Sequence, residues 1–211
     1  MFIIFEGGEG CGKSTQSQRL YKHLKAQGKK VVLTREPGGT QNAELLRNLL
    51  VSQNSEEWPM MAEFLLIMAA RVDHWTKFIK PHLDQGYTVI CDRFMLSTFA
   101  YQGYGRGLDL QWLKEMHNKI LPDVKIDKTF VFLLSPCDAL KRTKVSQRFE
   151  TLGLEFHKRV YEGFKEMGQD FDSIDIQGKS CDEVFEDIII RLGTHSHSVR
   201  CRAYNGTHRF F

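Results

Sequence analysis

The sequence predicts a doubly wound α/β fold, in which helices flank a parallel five-stranded sheet. Two observations support this fold class. Short apolar runs, typical of strands that are buried on both faces, alternate along the chain with segments whose apolar residues have helical spacing. The first apolar run, Phe2-Ile3-Ile4-Phe5, leads directly into a glycine-rich loop and then into a helical pattern, which is the order expected where a parallel strand is followed by its crossover helix.

Taken in chain order, the elements follow from this alternation. Four apolar runs and a weaker fifth predict strands at residues 2–6, 30–34, 87–92, 129–134 and 173–176. Apolar residues at helical spacing predict helices at residues 14–26, 41–50, 61–83, 110–120, 137–143, 154–167 and 182–192. Because ligands bind such sheets beyond the carboxyl ends of the strands, we expect the loops after the first three strands to meet in one cleft.

Length and composition indicate one compact domain over residues 1–193. The chain of 211 residues is 42% hydrophobic and has no internal repeat, so it can bury a sizeable core. The five cysteines are scattered without a Cys-x-x-Cys spacing, which argues against a disulfide framework or a zinc site and favours the reducing cytoplasm. The N-terminal residues lack the order of a signal peptide, and no apolar run approaches the length of a membrane span. We therefore expect a soluble protein with no membrane partner.

The net charge of +3 comes entirely from the segment 194–211, which has three arginines and no acidic residue. The remaining chain is neutral and gives no reason to expect a nucleic-acid partner. The basic tail has neither helical nor strand periodicity, and we expect it to be poorly ordered. Its histidines, His195, His197 and His208, could bind a metal, but no cluster of cysteines or carboxylates accompanies them. A plain polar tail is the alternative.

The loop after the first predicted strand carries a phosphate-binding motif. A glycine, four further residues and Gly-Lys-Ser form a loop whose N–H groups can point at phosphate oxygens, and glycine adopts the required backbone angles at little cost. Lys13 would reach the β- and γ-phosphates, and the Ser14 hydroxyl would ligate Mg²⁺. A glycine-rich turn before an unrelated helix would not explain the preceding strand and the Lys-Ser pair. We therefore predict a fold of the P-loop NTPase type, with the triphosphate bound by Gly7, Gly8, Glu9, Gly10, Cys11, Gly12, Lys13, Ser14 and Thr15.

Further motifs lie after the second and third predicted strands and in the long helix between them. They read Thr34-Arg35-Glu36-Pro37-Gly38-Gly39-Thr40, Ala69-Ala70-Arg71, Asp92-Arg93-Phe94 and Ala100-Tyr101-Gln102-Gly103. In order and spacing, these motifs and the P-loop with its Glu9 resemble the thymidylate kinase family, in its bacterial form, over residues 2–192. The resemblance implies a nucleoside monophosphate kinase domain that phosphorylates dTMP to dTDP with ATP and Mg²⁺ for DNA precursor synthesis. It also implies a homodimer, formed through helices on one side of the sheet.

The Asp-Arg pair at the end of the third predicted strand suits phosphoryl transfer. The reaction gathers many negative oxygens in one cleft, so positive side chains and Mg²⁺ must neutralise them. Arg93 is placed to clamp the acceptor phosphate against the γ-phosphate, a role that the resemblance also implies. Asp92 would hold Mg²⁺ through water. The alternative is an Asp-Arg pair that merely ends a strand.

For the phosphate and sugar of dTMP, the resemblance implies four further contacts. Glu9 would accept a hydrogen bond from the 3′-hydroxyl, and Tyr101 would lie near the sugar and disfavour a ribose. Arg35 and Arg47 would hold the phosphate, although exposed surface positions are the alternative for both. Whether the Glu36-Pro37 bond is cis is left open by the sequence.

For the base, Arg71, Thr98 and Gln102 match family positions that hydrogen-bond thymine. The aromatic residue that usually stacks on thymine is replaced by Ile67. Phe64, about one turn earlier on roughly the same helix face, could substitute for it or could pack in the core. The implied dTMP-binding residues are Glu9, Arg35, Glu36, Pro37, Arg47, Phe64, Ile67, Arg71, Arg93, Ser97, Thr98, Tyr101 and Gln102.

A mobile lid is predicted over residues 141–152. Gly10 occupies a P-loop position at which some members of the family carry a catalytic arginine, so the transition-state charge must be met elsewhere. The basic stretch Lys141-Arg142, Lys144 and Arg148 suits a lid that closes on the phosphates of ATP. A solvated run of charge is the alternative. The predicted catalytic residues are Lys13, Arg93, Arg148 and Arg142.

Two rival functions remain open at this point. Another nucleoside monophosphate kinase would share the motifs, and Ile67 leaves room for dUMP or a different pyrimidine nucleotide as acceptor. A P-loop switch protein would use the nucleotide only to change shape. Against the switch, the guanine-reading string Asn-Lys-x-Asp is absent, since Asn118-Lys119 is followed by Ile120-Leu121.

Overall fold

The computed structural model describes residues 1–52, 57–142, 149 and 152–193. In this part of the chain, five parallel strands form one sheet in the order β2-β3-β1-β4-β5. The strands are β1 (Phe2–Gly7), β2 (Val31–Arg35), β3 (Thr88–Asp92), β4 (Lys128–Leu133) and β5 (Asp172–Asp175). The predicted fold class is confirmed, and every strand boundary lies within one residue of its prediction.

Helices pack on both faces of the sheet. They are α1 (Lys13–Ala26), α2 (Gln41–Val51), α3 (Met60–His74), α4 (Lys80–Asp84), α5 (Met95–Thr98), α6 (Leu110–Ile120), α7 (Pro136–Arg142), α8 (Leu154–Met167) and α9 (Cys181–Gly193). None of the helices in the described residues is long and apolar enough to cross a bilayer.

The central strand β1 is buried along its whole length because its alternate residues meet two different helical layers. Ile3 and Phe5 belong to the cluster that includes buried residues of α1 and α9. Phe2 and Ile4 point to the other face and belong to the cluster around Trp75. Burying each of these side chains stabilises the fold by roughly 1.5–3 kcal/mol. The end of β1, where the P-loop begins, is therefore held rigidly.

The helix predicted over residues 61–83 is interrupted. α3 ends at His74, a π-helical turn spans Trp75–Ile79, and α4 follows. Pro81 explains the interruption, because proline has no N–H to donate to the carbonyl of Lys77 in a regular helix, and its ring would press on that carbonyl. The wider turn before α4 accommodates the proline.

The segment after β3 is helical, which the sequence pattern did not predict. α5 continues into a π-helical turn over Phe99–Gly105. Glycines lower the helix propensity of this segment, yet its packing requires one of them. A Cβ atom on Gly105 would lie 2.6 Å from the ring of Phe156 in α8. Close packing against α8 thus outweighs the weak local propensity.

Some predictions fall outside the described residues. They concern the tail 194–211 and, in the lid, residues 143–148, 150 and 151.

Candidate active site

A cavity of about 290 Å³ lies at the carboxyl edge of the sheet, where the loops after β1, β2 and β3 meet. The strand register explains the meeting point, since Asp92 of β3 pairs with Arg35 of β2 and with Phe5 of β1. The structure brings most of the predicted site residues to its wall: Glu9, Lys13, Ser14, Arg35, Glu36, Pro37, Arg47, Ile67, Arg71, Asp92, Arg93, Ser97, Thr98, Tyr101 and Gln102.

The P-loop turns tightly between β1 and α1. Gly10 and Gly12 have φ angles of +66° and +83°, in the left-handed region that glycine adopts without strain. At Gly7, a Cβ atom would lie 2.5 Å from the backbone oxygen of Phe132. Gly10 and Gly12 are therefore required by their backbone angles, and Gly7 by its close approach to β4.

The positive groups of the P-loop face the cavity edge. The ammonium of Lys13 is buried and donates to the carbonyl of Gly8 at 2.6 Å. The Cys11 thiol donates to the same carbonyl at 3.0 Å. Thr15 is exposed in the first turn of α1, whose N-terminus adds a partial positive charge. Lys13 and the N-terminus of α1 together make a site that favours phosphate.

Ser14 and Asp92 form a pair of oxygen ligands beside the P-loop. The Ser14 hydroxyl donates to Oδ2 of Asp92 at 2.5 Å. The other carboxylate oxygen, Oδ1, is buried and has no hydrogen-bond partner among the described residues. A buried carboxylate oxygen normally has a partner, and hydroxyl and carboxylate oxygens are the ligands that Mg²⁺ prefers. The two residues therefore fit a hydrated Mg²⁺ ion.

Arg93 lies between the P-loop and the cavity. Its φ of +73° is rare for a residue with a side chain and indicates local strain. The guanidinium donates from Nη1 to the carbonyl of Gly7 at 2.8 Å and to the Ser97 hydroxyl at 3.0 Å. From Nη2 it donates to Glu9 at 2.8 Å. These contacts fix the guanidinium in place before any substrate arrives.

Glu6 supports the strained loop of Arg93, and sequence analysis missed it. Its fully buried carboxylate accepts hydrogen bonds from the backbone N–H of Phe94 at 2.9 Å and from the Ser97 hydroxyl at 2.5 Å. Burial raises the pKa of Glu6 above its usual value. The one sign of its role in the sequence was the presence of a carboxylate at the end of an otherwise apolar strand.

Glu9 and Arg93 form a partly shielded ion pair, and Glu9 also accepts a hydrogen bond from Tyr101 at 2.9 Å. Burial would raise the pKa of Glu9, but the charges of Arg93 and Lys13 outweigh burial and lower the pKa to about 2. For Arg93, burial would lower the pKa, but the charge of Glu9 outweighs it, and the pKa lies well above its usual value. Both groups are charged at neutral pH.

We expect folding stability to depend on acid pH through Glu9. Its pKa is about 2 in the folded chain and 4.5 ordinarily, so between these values the unfolded chain binds the proton more readily. The stabilisation is complete above pH 4.5 and is lost as pH falls towards 2. Urea unfolding measured across this range should show a weaker pH dependence for Glu9→Gln than for the wild type. Equal slopes would contradict the pairing.

Arg71 lies in the cavity wall and donates a hydrogen bond from each of its three guanidinium nitrogens. It is 2% exposed, and its Nε donates to Glu36 at 2.6 Å. Nη1 donates to the Thr98 hydroxyl and Nη2 to the carbonyl of Phe94, both at 2.9 Å. The Glu36-Pro37 peptide bond is cis. Arg71 is thus oriented rigidly towards the cavity, with no freedom to act as a mobile surface charge.

Arg35 and Arg47 form the positive rim of the cavity. Arg47 donates to the Pro37 carbonyl at 2.9 Å, and Arg35 pairs with Glu44 at 2.8 Å. Burial and the charge of Arg35 both lower the pKa of Arg47. Two guanidinium groups that repel each other in this way are favourably placed to bind a shared anion.

The structure distinguishes the two candidates for contact with the base. Ile67 lies in the cavity wall, 8% exposed. Phe64 is fully buried in the core and packs against Trp112, with ring centroids 5.1 Å apart, and it is not part of the wall. Of the two readings of Phe64, the structure supports core packing. The expectation that Phe64 could replace the missing aromatic residue is therefore corrected, because its ring packs against Trp112 in the core.

Of the two predicted lid arginines, Arg142 is exposed at the end of α7 and is not part of the cavity wall. Arg148 lies outside the described residues. The wall does include Phe149, whose ring packs edge-on against Tyr101. Val51, Phe94 and Phe149 were not foreseen as wall residues, because single apolar residues in helices and loops carry no local signal of a cavity.

The fold and the site define a class of protein. A P-loop at the head of a doubly wound sheet, beside a cavity with four arginines, is the arrangement of a P-loop phosphotransferase whose acceptor is itself a phosphorylated compound.

Comparison with known proteins identifies the family. The thymidylate kinase family model matches residues 5–188. The chain is 46% identical to the thymidylate kinase of Rickettsia canadensis over 175 residues, covering 81% of this chain and 84% of that protein. It is 46% identical to the thymidylate kinase of Magnetococcus marinus over 172 residues, covering 80% and 82%. The crystal structure of thymidylate kinase from Ehrlichia chaffeensis superposes with a TM-score of 0.74 at 36% identity, covering 91% of this chain and 98% of that one.

The chain therefore belongs to the thymidylate kinase family, as its motifs predicted. It is a kinase that uses ATP to convert dTMP to dTDP.

Proposed function

We propose that the cavity binds dTMP with its phosphate beside Arg93 and its base beside Arg71, while the P-loop binds the phosphates of ATP. The observation that carries this proposal is the position of Arg93, which contacts both Gly7 of the P-loop at 2.8 Å and Tyr101 of the cavity at 3.3 Å. An acceptor phosphate held there would lie next to the γ-phosphate. A phosphate oxygen of dTMP then attacks the γ-phosphorus, the bond to the β,γ-bridging oxygen breaks, and ADP leaves.

In this proposal, Lys13 and Arg93 are the principal cations of the transfer. Lys13 neutralises the β- and γ-phosphates, and Arg93 draws the acceptor oxygen towards the γ-phosphorus. Without substrate, the carboxylate of Glu9 is the anion opposite Arg93. When dTMP binds, its phosphate shares Arg93 with Glu9, and Glu9 accepts a hydrogen bond from the 3′-hydroxyl of the sugar. The charge of Arg93 is thus balanced in both states.

Ser14 and Asp92 would hold Mg²⁺, with Asp92 acting through water. The support is the unpartnered buried oxygen of Asp92 beside the Ser14 hydroxyl. Mg²⁺ at this place would neutralise phosphate oxygens of the bound nucleotides.

At the base end, Arg71, Thr98 and Gln102 recognise the hydrogen-bonding edge of thymine. Nη2 of Arg71 uses one N–H on the carbonyl of Phe94, and its second N–H can donate to a carbonyl oxygen of the base. Ile67 packs on the face of the ring and supplies an aliphatic contact in place of aromatic stacking. The buried polar groups reject bases with the wrong donor pattern, because they would be left unpaired.

Arg148 and then Arg142 are the lid residues that we propose to complete the transition-state charge. This assignment rests on the basic stretch in the sequence and on the glycine at position 10. Phe149, which follows Arg148 in the sequence, is part of the cavity wall.

We also propose a homodimer. Packed helices α2 and α3 expose large apolar side chains, Leu45, Leu49, Met61, Leu65 and Val72, with exposed fractions from 36% to 62%. Large apolar side chains exposed on two packed helices are typical of a protein interface. The scattered free thiols of the described cysteines support a cytoplasmic location.

The phosphate assignment is tested by dTMP binding to Arg47→Ala, measured by calorimetry without ATP. We expect the Kd for dTMP to rise by about tenfold or more, because the variant loses a charge-assisted contact to the phosphate. Lys158→Ala is the matched control, since it removes an exposed positive charge of α8 that pairs only with a surface carboxylate among the described contacts. Equal affinities for dTMP in both variants would overturn the assignment of Arg47.

A further inference from the structure

A buried ionic network lies behind the base end of the cavity. Glu63 in the first turn of α3 is fully buried, and its Oε2 pairs with Nη2 of Arg106 at 3.2 Å. Its other oxygen, Oε1, accepts a hydrogen bond from Nε2 of Gln102 at 2.8 Å. Arg106 extends the network outwards, because its Nη1 pairs with the exposed Glu57 at 2.8 Å. Gln102, a residue of the cavity wall, is thus tied to a carboxylate inside the protein.

The geometry of α3 explains how this carboxylate reaches Gln102. Glu63, Ile67 and Arg71 are spaced four residues apart, so they lie on one face of the helix. Ile67 and Arg71 line the cavity, and Glu63 lies one turn towards the start of α3. Gln102 comes from the π-helical turn over Phe99–Gly105, and its amide contacts this face at Glu63. Gln102 therefore lies in the cavity wall, while the NH₂ group of its amide is hydrogen-bonded to Glu63 inside the protein.

The chemistry of the pair fixes which atoms of the amide face each way. An ion-paired carboxylate accepts hydrogen bonds and donates none, so the NH₂ group of Gln102 must point to Glu63. An amide carries its oxygen on the opposite side from its NH₂ group, so an acceptor is left for the base. Thymine and uracil carry a hydrogen at N3 and can donate to this oxygen, whereas N3 of cytosine is itself an acceptor.

We propose that Glu63, supported by Arg106, is a positioning residue for substrate selection: it locks the Gln102 amide with its oxygen towards the base and so selects pyrimidines that donate at N3. This inference rests on the proposed binding of the base beside Gln102. A buried ion pair is costly to desolvate and is best justified where it fixes one arrangement among several. Here the ion pair fixes the orientation of the Gln102 amide, whose NH₂ group and oxygen have nearly the same shape and could otherwise exchange places.

The test compares kcat/KM for dTMP, dUMP and dCMP in the wild type and in Glu63→Gln, with saturating Mg-ATP. The substitution keeps the size of the side chain, but an amide can donate as well as accept, so Gln102 is free to turn. We expect the ratio of kcat/KM for dTMP to that for dCMP to fall by at least about tenfold. The ratio for dTMP to dUMP should not change, since both bases carry the N3 hydrogen.

Two further variants separate selection from a purely structural role. Glu63→Asp keeps a charge for Arg106 but draws the acceptor away from Gln102, so it should lower the dTMP-to-dCMP ratio even if Glu63→Gln folds poorly. Glu57→Gln removes the exposed partner of Arg106 and leaves the Glu63–Gln102 contact intact, so its ratio should equal that of the wild type. In a Gln102→Leu background, Glu63→Gln should have no effect on the ratio.

The inference is overturned if Glu63→Gln and Glu63→Asp lower kcat/KM for dTMP and dCMP by the same factor, because the ratio then does not depend on Glu63. An effect of Glu63→Gln that persists in the Gln102→Leu background would also overturn it. Failure of the proposed binding mode looks different: Gln102→Leu alone would leave the wild-type preference for dTMP over dCMP unchanged.

Discussion

Replacing Arg93 by alanine should lower kcat for dTMP phosphorylation about a thousandfold or more. An arginine that stabilises the transferring phosphoryl group contributes this much in phosphotransferases, because the charge acts in a site from which water is largely excluded. Arg93 is prepared for the role by its contacts with Gly7, Ser97 and Glu9. Steady-state and single-turnover rates with Mg-ATP and dTMP measure the effect.

Two matched variants separate the guanidinium from the backbone of Arg93. Arg93→Gly removes the same side chain but relieves the left-handed φ of +73°, so it should fold more stably than Arg93→Ala and be equally inactive. Arg93→Lys keeps the charge without the planar fork and should recover only part of the rate. If Arg93→Gly regained activity, backbone strain rather than the guanidinium would be the functional feature.

Replacing Arg71 by methionine should destabilise the fold by about 3–5 kcal/mol, the usual cost of leaving one partner of a buried ion pair alone. Glu36 is 3% exposed, and among the described residues its carboxylate would keep only the ring Nδ1 of His74, at 3.1 Å, as a side-chain partner. Burial would raise the pKa of Glu36, but Arg71 and His74 outweigh burial and lower the pKa. Urea unfolding of the two proteins at neutral pH measures the difference.

Arg19→Met is the control for this destabilisation. Arg19 also pairs with a carboxylate, Asp182, at 2.6 Å, but the side chain of Asp182 is 81% exposed. Solvent screens such pairs, so the control should unfold at nearly the wild-type urea concentration. Comparable losses in Arg19→Met and Arg71→Met would show that burial of the Arg71–Glu36 pair has no special role.

The sheet could be read from the sequence because buried parallel strands are nearly continuous apolar runs. The helices were harder wherever tertiary packing outweighed the local pattern. The segment 99–105 is helical because Gly105 allows it to pack on α8, and no pattern within the segment reveals that contact. Likewise, Pro81 was the visible sign that the long helix after residue 60 could not remain regular.

Most polar residues of the cavity wall were expected there from the sequence, because phosphate chemistry restricts residue type and spacing near the P-loop and the family motifs indicate the others. Their roles in binding and catalysis stay predictions. The residues that hold these polar side chains in position were not predicted. Glu6 and Glu63 act on Arg93 and Gln102 through the folded structure, and their neighbours in sequence do not reveal these partners. Ile67 and Phe64 show the same limit, since only the fold decides which of two apolar residues on similar helix faces meets the cavity.

The most direct test of the account measures ADP release in a coupled assay with Mg-ATP and dTMP, dUMP, dCMP, dGMP, AMP or UMP, for the wild type and Arg93→Ala. We expect the highest kcat/KM on dTMP, and we expect this activity to be lost in the variant. Preference for another monophosphate would contradict the assigned acceptor and make Ile67 the first residue to examine. ADP release that does not depend on an acceptor, or near-normal turnover of dTMP by Arg93→Ala, would contradict the phosphate clamp at the centre of the account.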